Sequence, residues 1–297
     1  VFLGLPVYNG GAFLHAALDS ALAQTFGDFR LLIADNASTD DTAEIAQDYA
    51  ARDSRVIYHR HEKNLGAAPN FNFCLAQATE PYFKWMAHDD LMRPTYLERC
   101  VAVLDNDPGA VLCHSRFERI DVHGAPLRAA EGEDGFNDPD PVVRFARAAG
   151  LDHGCGSVFG VIRRDVLART PGIAPFVSSD RTLLAELALY GRFEIVPETL
   201  FGWRTHIDQS IWMSRDERVA WFDTESQSKL NAFFTRQWLA QFGAIRRAEV
   251  PRSVKARATF ASVGWALRYR GRILRDMTGG SGGHKTRRSP DLPDQRP

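Results

Sequence analysis

A repeated rhythm constrains the fold of this chain: an apolar run, a polar cluster, then a segment with helical spacing, four times in the first 107 residues. The first run, residues 1–7, ends at Tyr8-Asn9-Gly10-Gly11, after which Phe13, Leu14, Ala17, Leu18, Ala21 and Leu22 recur at helical spacing. The second, residues 29–34, ends at Asp35-Asn36-Ala37-Ser38; Thr39 or Asp40 is placed to cap the helix that follows. The third, residues 55–59, leads past Asn64 to a helical stretch at about 67–78. The fourth, residues 82–86, runs into His88-Asp89-Asp90, with Pro94 in the first turn of the next helix. Such alternation predicts an α/β fold: a mainly parallel, Rossmann-like sheet flanked by helices. Ligands bind beyond the carboxyl ends of such strands, which is where the four polar clusters fall.

The second half is less regular. Strands are expected at 111–120 and 157–163, a loop over 128–141, and a helix from Ser178 or Ser179 to about Tyr190. Two short strands broken at Pro197 are expected over 193–203. A helical extension follows over 216–277, rich in arginine and aromatics. Residues 278–297, made of Gly, Ser, Pro and charge, read as a disordered tail. The expected division is thus one domain over 1–215, split into a nucleotide-binding half (1–107) and an acceptor-side half (108–215), then the extension and the tail.

Hydrophobic residues are 44% of the chain, enough for a sizeable core, and the net charge of -1 gives no global field for nucleic acid. The four cysteines have no C-x-x-C spacing, which disfavours zinc and suits reduced thiols. Val1 already lies inside an apolar run, so a few residues are expected to be missing ahead of it. No signal-peptide pattern and no window of about 18 apolar residues are present. The expected location is cytoplasmic, with the inner face of the membrane as a candidate surface for the basic C-terminal helices.

Several residues bear chemistry. Two carboxylates on a tight turn, Asp89 and Asp90, can hold Mg2+ or Mn2+ over phosphate oxygens; acids at a helix start would look the same. Asp35 can accept hydrogen bonds from a base or ribose, or simply cap a turn, and Tyr8 can pack on a base or cover the core. Asp180 opens a helix, as a cap or as a general base. Arg204 and His206 follow a strand; a guanidinium there can neutralise a diphosphate, and an imidazole can join carboxylates around a metal.

In order, Leu5-Pro6-Val7-Tyr8-Asn9, Asp35-Asn36-Ala37-Ser38-Thr39-Asp40, Asn64-Leu65-Gly66 and Trp85-Met86-Ala87-His88-Asp89-Asp90 resemble the motifs of the family 2 glycosyltransferases with the GT-A fold, over roughly residues 1–210. The resemblance implies an inverting, metal-dependent transfer of a sugar from a nucleotide diphosphate to a saccharide or lipid-linked acceptor, in cell-surface polysaccharide or glycolipid assembly. It implies that Asp35, with Pro6, Tyr8 and Asn9 around it, binds the nucleotide, that Asn64 lies near it, and that Asp89 holds the metal. It further implies Asp180 as the base and Arg204 and His206 at the diphosphate, with Asp90 and His206 as further metal ligands. One position departs: the family's D-x-D places its first Asp where this chain has Ala87. Two alternatives follow, a nucleotidyltransferase, disfavoured because Gly10-Gly11 lacks nearby Lys or Arg, and a nucleotide-sugar-binding module that Ala87 has weakened as a catalyst.

Overall fold

The computed structural model describes residues 1–131, 134–207, 209, 212–222 and 232–278. The expected tail lies, from residue 279 on, outside the described residues. The first half runs β1 (Phe2–Val7), α1 (Gly11–Leu22), β2 (Arg30–Asp35), α2 (Thr42–Arg52), β3 (Val56–Arg60), α3 (Ala67–Ala76), β4 (Tyr82–Trp85). It continues with β5 (Leu91–Met92), α4 (Tyr96–Asn106), β6 (Ala110–Ile120), β7 (Pro126–Glu131), α5 (Pro141–Ala149), β8 (Val161–Arg163), α6 (Arg164–Leu167), α7 (Ser179–Tyr190) and β9 (Arg192–Arg204). Helices α8 (Arg215–Phe222), α9 (Phe233–Arg247), α10 (Arg252–Arg268) and α11 (Arg270–Met277) form the helical end.

All nine strands join one sheet in the order β3-β2-β1-β4-β8-β6-β9-β5, with β7 on β6. Strands β3, β2, β1 and β4 are parallel, as the rhythm predicts. The rest is mixed: β8 is antiparallel to both β4 and β6, β6 and β9 are parallel, and β5 is antiparallel to β9. The period-two alternation of β1 splits the core into two layers. Phe2 faces α3 and the α5–α7 side, while Leu3, Leu5 and Val7 face α1 and α4. Ile245, Ala248 and Ala258, from the helical end, pack in the first of these layers, so the extension shares the core of the sheet. Each fully buried Leu or Phe contributes about 1.5–3 kcal/mol.

Four local expectations are corrected. The loop expected over 128–141 is strand in its first residues: Pro126–Glu131 folds back on β6 through a turn that the Asp121 carboxylate closes by accepting from the His123 and Ala125 amides, with Gly124 at φ 85°. In the 157–163 run only the last three residues are strand; Gly156–Phe159 is a 3-10 turn entered from Cys155 at φ 62°. Strand β9 does not break at Pro197. Its register against β6 jumps from Ser115↔Val196 to Arg116↔Thr199, leaving Pro197 and Glu198 in a bulge, where a missing N–H costs no ladder bond. Ser178 does not cap α7: it sits at φ 63° with no side-chain cap bond, and Ser179 is already helical.

Lys84, in the middle of β4, is fully buried. Its ammonium donates to the Phe159 carbonyl and lies 4.7 Å from the Tyr96 ring centre and 5.1 Å from that of Phe201. Burial pulls its pKa down to about 7. Below about pH 7 the amine is charged in folded and unfolded chains alike, and its desolvation weakens the fold in full. Above that pH the folded chain holds it neutral while the unfolded chain still binds a proton, up to the ordinary 10.5. Stability should therefore rise with pH above 7, by up to about 1.4 kcal/mol per unit. Urea titrations at pH 7 and pH 9 check this: Lys84→Met should flatten the rise, and an equal rise in the variant refutes the assignment.

Candidate active site

The loops after β1 and β2 are zipped together by side chains. Asn9, at φ 52°, donates its amide to Ser38 Oγ (2.9 Å) and accepts the Thr39 amide on its own Oδ1 (2.8 Å). The Gly10 amide donates to Thr42 Oγ1, and that of Gly11 to Asp40 Oδ2. Asn9 thus frames the loop, and Tyr8, 40% exposed beside it, presents its ring outward. Pro6 is buried within β1. A side chain at Gly10 would collide with Val7 and with the His88 ring, so glycine is what lets the turn after β4 close against the turn after β1.

Asp35 ends β2 and is wholly buried. Its Oδ1 accepts the Ser38 amide (2.8 Å); its Oδ2 accepts the Tyr58 hydroxyl (2.9 Å) and the Arg60 guanidinium (2.7 Å), which also donates to the Ser38 carbonyl. Arg60 is 41% exposed, so it carries this charge network to the surface. No sequence motif marks Tyr58 or Arg60, although period two along β3 places both on one face. Asn64 joins the loop edge by accepting from Asn36 Nδ2 (2.9 Å) and the Gly66 amide (2.8 Å).

The turn after β4 meets the end of β9. Asp89 Oδ2 lies 2.9 Å from His206 Nε2, with both side chains largely buried. Burial works against the charge on Asp89, but His88 and the His206 hydrogen bond outweigh it and hold the carboxyl below the usual carboxylate range. Its neighbour goes the other way: burial and the charge of Asp89 push Asp90 well above that range, and Asp90 Oδ1 accepts the Arg204 amide (2.9 Å). Arg204 is a clamp, donating from Nε to the Asp89 carbonyl (2.6 Å) and from its terminal nitrogen to the Asp121 and Val122 carbonyls. Gln209 closes the loop by donating to the Arg204 carbonyl (2.6 Å). Beneath both lies Phe13 of α1, its ring centre 4.7 Å from the His206 ring and 4.8 Å from the Arg204 guanidinium. Phe13 reads in the sequence as an ordinary core position of α1, and nothing there marks its second task.

The structure thus brings Asp89, Asp90, Arg204 and His206 into one cluster, with Tyr8, Asp35 and Asn64 on the adjoining strand-end loops. Asp180 comes from another layer: half-buried on the first turn of α7, it accepts the Arg181 amide (2.8 Å), and α7 packs on α5, α9 and the 3-10 turn. As donors for a divalent ion, the ionised carboxylate of Asp89 suits Mg2+ or Mn2+, while the His206 imidazole nitrogen suits the softer Mn2+ better than Mg2+. Asp90, protonated more readily and already bonded to a backbone amide, is the poorer donor. Among the described residues no group of three or more His, Cys, Asp or Glu side chains is placed to hold a metal. Among the described residues this cluster offers two such donors, Asp89 and His206, a set that fits an ion whose other ligands are phosphate and water oxygens.

Comparison with known proteins agrees with this fold. Residues 3–170 match Glycosyl transferase family 2. An uncharacterized glycosyltransferase of Rickettsia felis is 30% identical over 162 residues, which are 51% of this chain and 25% of that protein, so the chain spans about a quarter of that relative's length. Among solved structures, residues 1–349 of S. aureus TarS in complex with UDP-GlcNAc superpose with a TM-score of 0.66 at 14% identity, over 94% of this chain and 79% of that one. The mannosyltransferase PcManGT from Pyrobaculum calidifontis, in complex with GDP-Man and Mn2+, gives 0.53 at 16% identity, over 93% and 83%. These likenesses carry the fold, and the family match covers more than half of the chain. The sheet, its ligand edge and that match together make this chain a member of glycosyl transferase family 2.

Proposed function

We propose that the chain transfers a sugar from a nucleotide diphosphate to a hydroxyl acceptor with inversion at the anomeric carbon, in cell-surface polysaccharide or glycolipid assembly. One observation carries the reading: an ionised, largely buried carboxylate, Asp89, paired with His206 at the strand-end edge beside Tyr8 and Asp35. In this proposal Tyr8 packs on the base and Asp35 acts through Arg60 and Tyr58 at the nucleotide, with Pro6, Asn9 and Asn64 shaping the loops around it. Asp89 and His206 face the diphosphate, and Arg204 and Asp90 hold that pair in place. A bound Mg2+ or Mn2+ would offset the charge that builds on the leaving diphosphate. Asp180 takes the proton of the acceptor hydroxyl as its oxygen bonds to the anomeric carbon, and the electron pair of the broken bond leaves with the diphosphate. A nucleotidyltransferase would need free amides in the glycine turn to cradle a triphosphate; the Gly10 and Gly11 amides are committed to Thr42 and Asp40.

Thermal shift with UDP-, GDP- and dTDP-sugars, with and without Mn2+, tests the donor class. A donor at a hundredfold excess over its Kd should stabilise the chain by about 2.7 kcal/mol, and only in the presence of the metal. Failure of every nucleotide sugar to raise Tm would overturn the reading. The anomeric configuration of the product, read by NMR, tests inversion.

A further inference from the structure

The solvent side of the last two helices carries a second apolar stripe, separate from the face that packs. Phe260 is 78% exposed, Leu267 59%, Leu274 60% and Met277 68%, with Val263 between them. Along α10 the positions 256, 260, 263 and 267 follow spacings of three and four, so Ala256, Phe260, Val263 and Leu267 share one face. The opposite face, with Ala258, Ser262, Trp265 and Ala266, is the one buried against the protein. Exposed phenylalanine and leucine in sequence register are costly in water, and Phe260 and Leu267 make no part of the core layers described above.

The charge around the stripe is one-sided. Between Arg252 and Met277 the sequence has seven Lys or Arg, of which Arg257 pairs with the Asp140 carboxylate, and one acid, Asp276, in a chain whose net charge is -1. Asp276 is turned inward, accepting from the Phe234 and Thr235 amides. Arg268 lies over the Tyr269 ring, 5.8 Å from its centre, and Arg272 over that of Phe234, 5.1 Å away. No helix among the described residues is long and apolar enough to cross a membrane. An apolar stripe flanked by basic residues fits the boundary of an anionic bilayer, where the side chains enter the acyl edge and the guanidinium groups meet phosphate. A second copy of the same face would bring like charges together.

We propose that the outer face of α10 and α11, built on Phe260, Val263, Leu267, Leu274 and Met277, docks this protein on an anionic lipid surface. This proposal stands apart from the donor and acceptor chemistry above. Flotation of the full chain with phosphatidylcholine vesicles containing about three parts in ten phosphatidylglycerol tests it. Binding should appear with the anionic vesicles, weaken as salt is raised, and fall at least about tenfold in the double variant Phe260→Asp/Leu267→Asp. Both positions are solvent-exposed, and an unchanged circular dichroism melt certifies the fold. Should that variant melt early, Arg252→Glu/Arg275→Glu leaves the stripe intact and should lower binding by a similar factor. No flotation with anionic vesicles, equal flotation with neutral ones, or binding unchanged in the variants overturns the proposal. So does a dimer by light scattering that the Phe260→Asp/Leu267→Asp change dissolves.

Discussion

Asp89→Ala should lower kcat/KM for the donor by on the order of 10³-fold, because it removes the ionised carboxylate proposed above to face the diphosphate. That loss corresponds to about 4 kcal/mol of transition-state stabilisation. The fold should tolerate the change well. Asp89 makes its named side-chain bond to His206, while Asp90 and Arg204 hold the loop through the backbone. Removing the charge also relieves Asp90, whose ionisation Asp89 opposes. The expected signature is a preserved melting temperature without ligand, together with loss of the metal-dependent shift given by the donor. His206→Ala should reproduce part of the effect. Retention of wild-type turnover by Asp89→Ala would remove the carboxylate from the chemistry altogether.

Asp180→Asn should be the second large loss, about 10²- to 10⁴-fold in kcat with little change in KM for the donor, as expected when a general base is replaced by an isostere that cannot take a proton. Its amide oxygen can still accept the Arg181 amide, so the start of α7 should survive. Rates measured against pH separate a base from a helix cap. A base gives an acid limb that disappears in the variant; a cap leaves the limb and lowers Tm. Donor-induced thermal shift should be normal in Asp180→Asn, which distinguishes it from Asp89→Ala.

Much of this site could be read in the sequence because parallel strands end in loops on a common edge, and the strand-like runs of β1 to β4 are long enough to show their period. What escaped was short or non-local. Strands β5 and β8 have two and three residues, below the length at which alternation can be seen. Strand β7, Pro-Leu-Arg-Ala-Ala-Glu, shows no period-two alternation and pairs with the edge that β6 offers it. Pro197 reads as a break, yet a bulge accommodates it within one strand. The clamp made by Arg204 depends on the Asp121 turn, which no local pattern connects to it. Phe13, under both His206 and Arg204, looks in the sequence like any core residue of α1.

The pairing of Asp89 with His206 spans 117 residues. During synthesis the first four strands can collapse while the partner of Asp89 has yet to leave the ribosome, and the loop between them must close before the pair exists. Until then the carboxylate turn is an anion with no imidazole beside it and no β9 to brace it. If the proposed function holds, a half-made chain lacks the Asp89–His206 pair proposed to face the diphosphate. The proposed activity would then be a late event, complete only once β9 is in place, and its recovery after denaturation should lag behind the return of secondary structure.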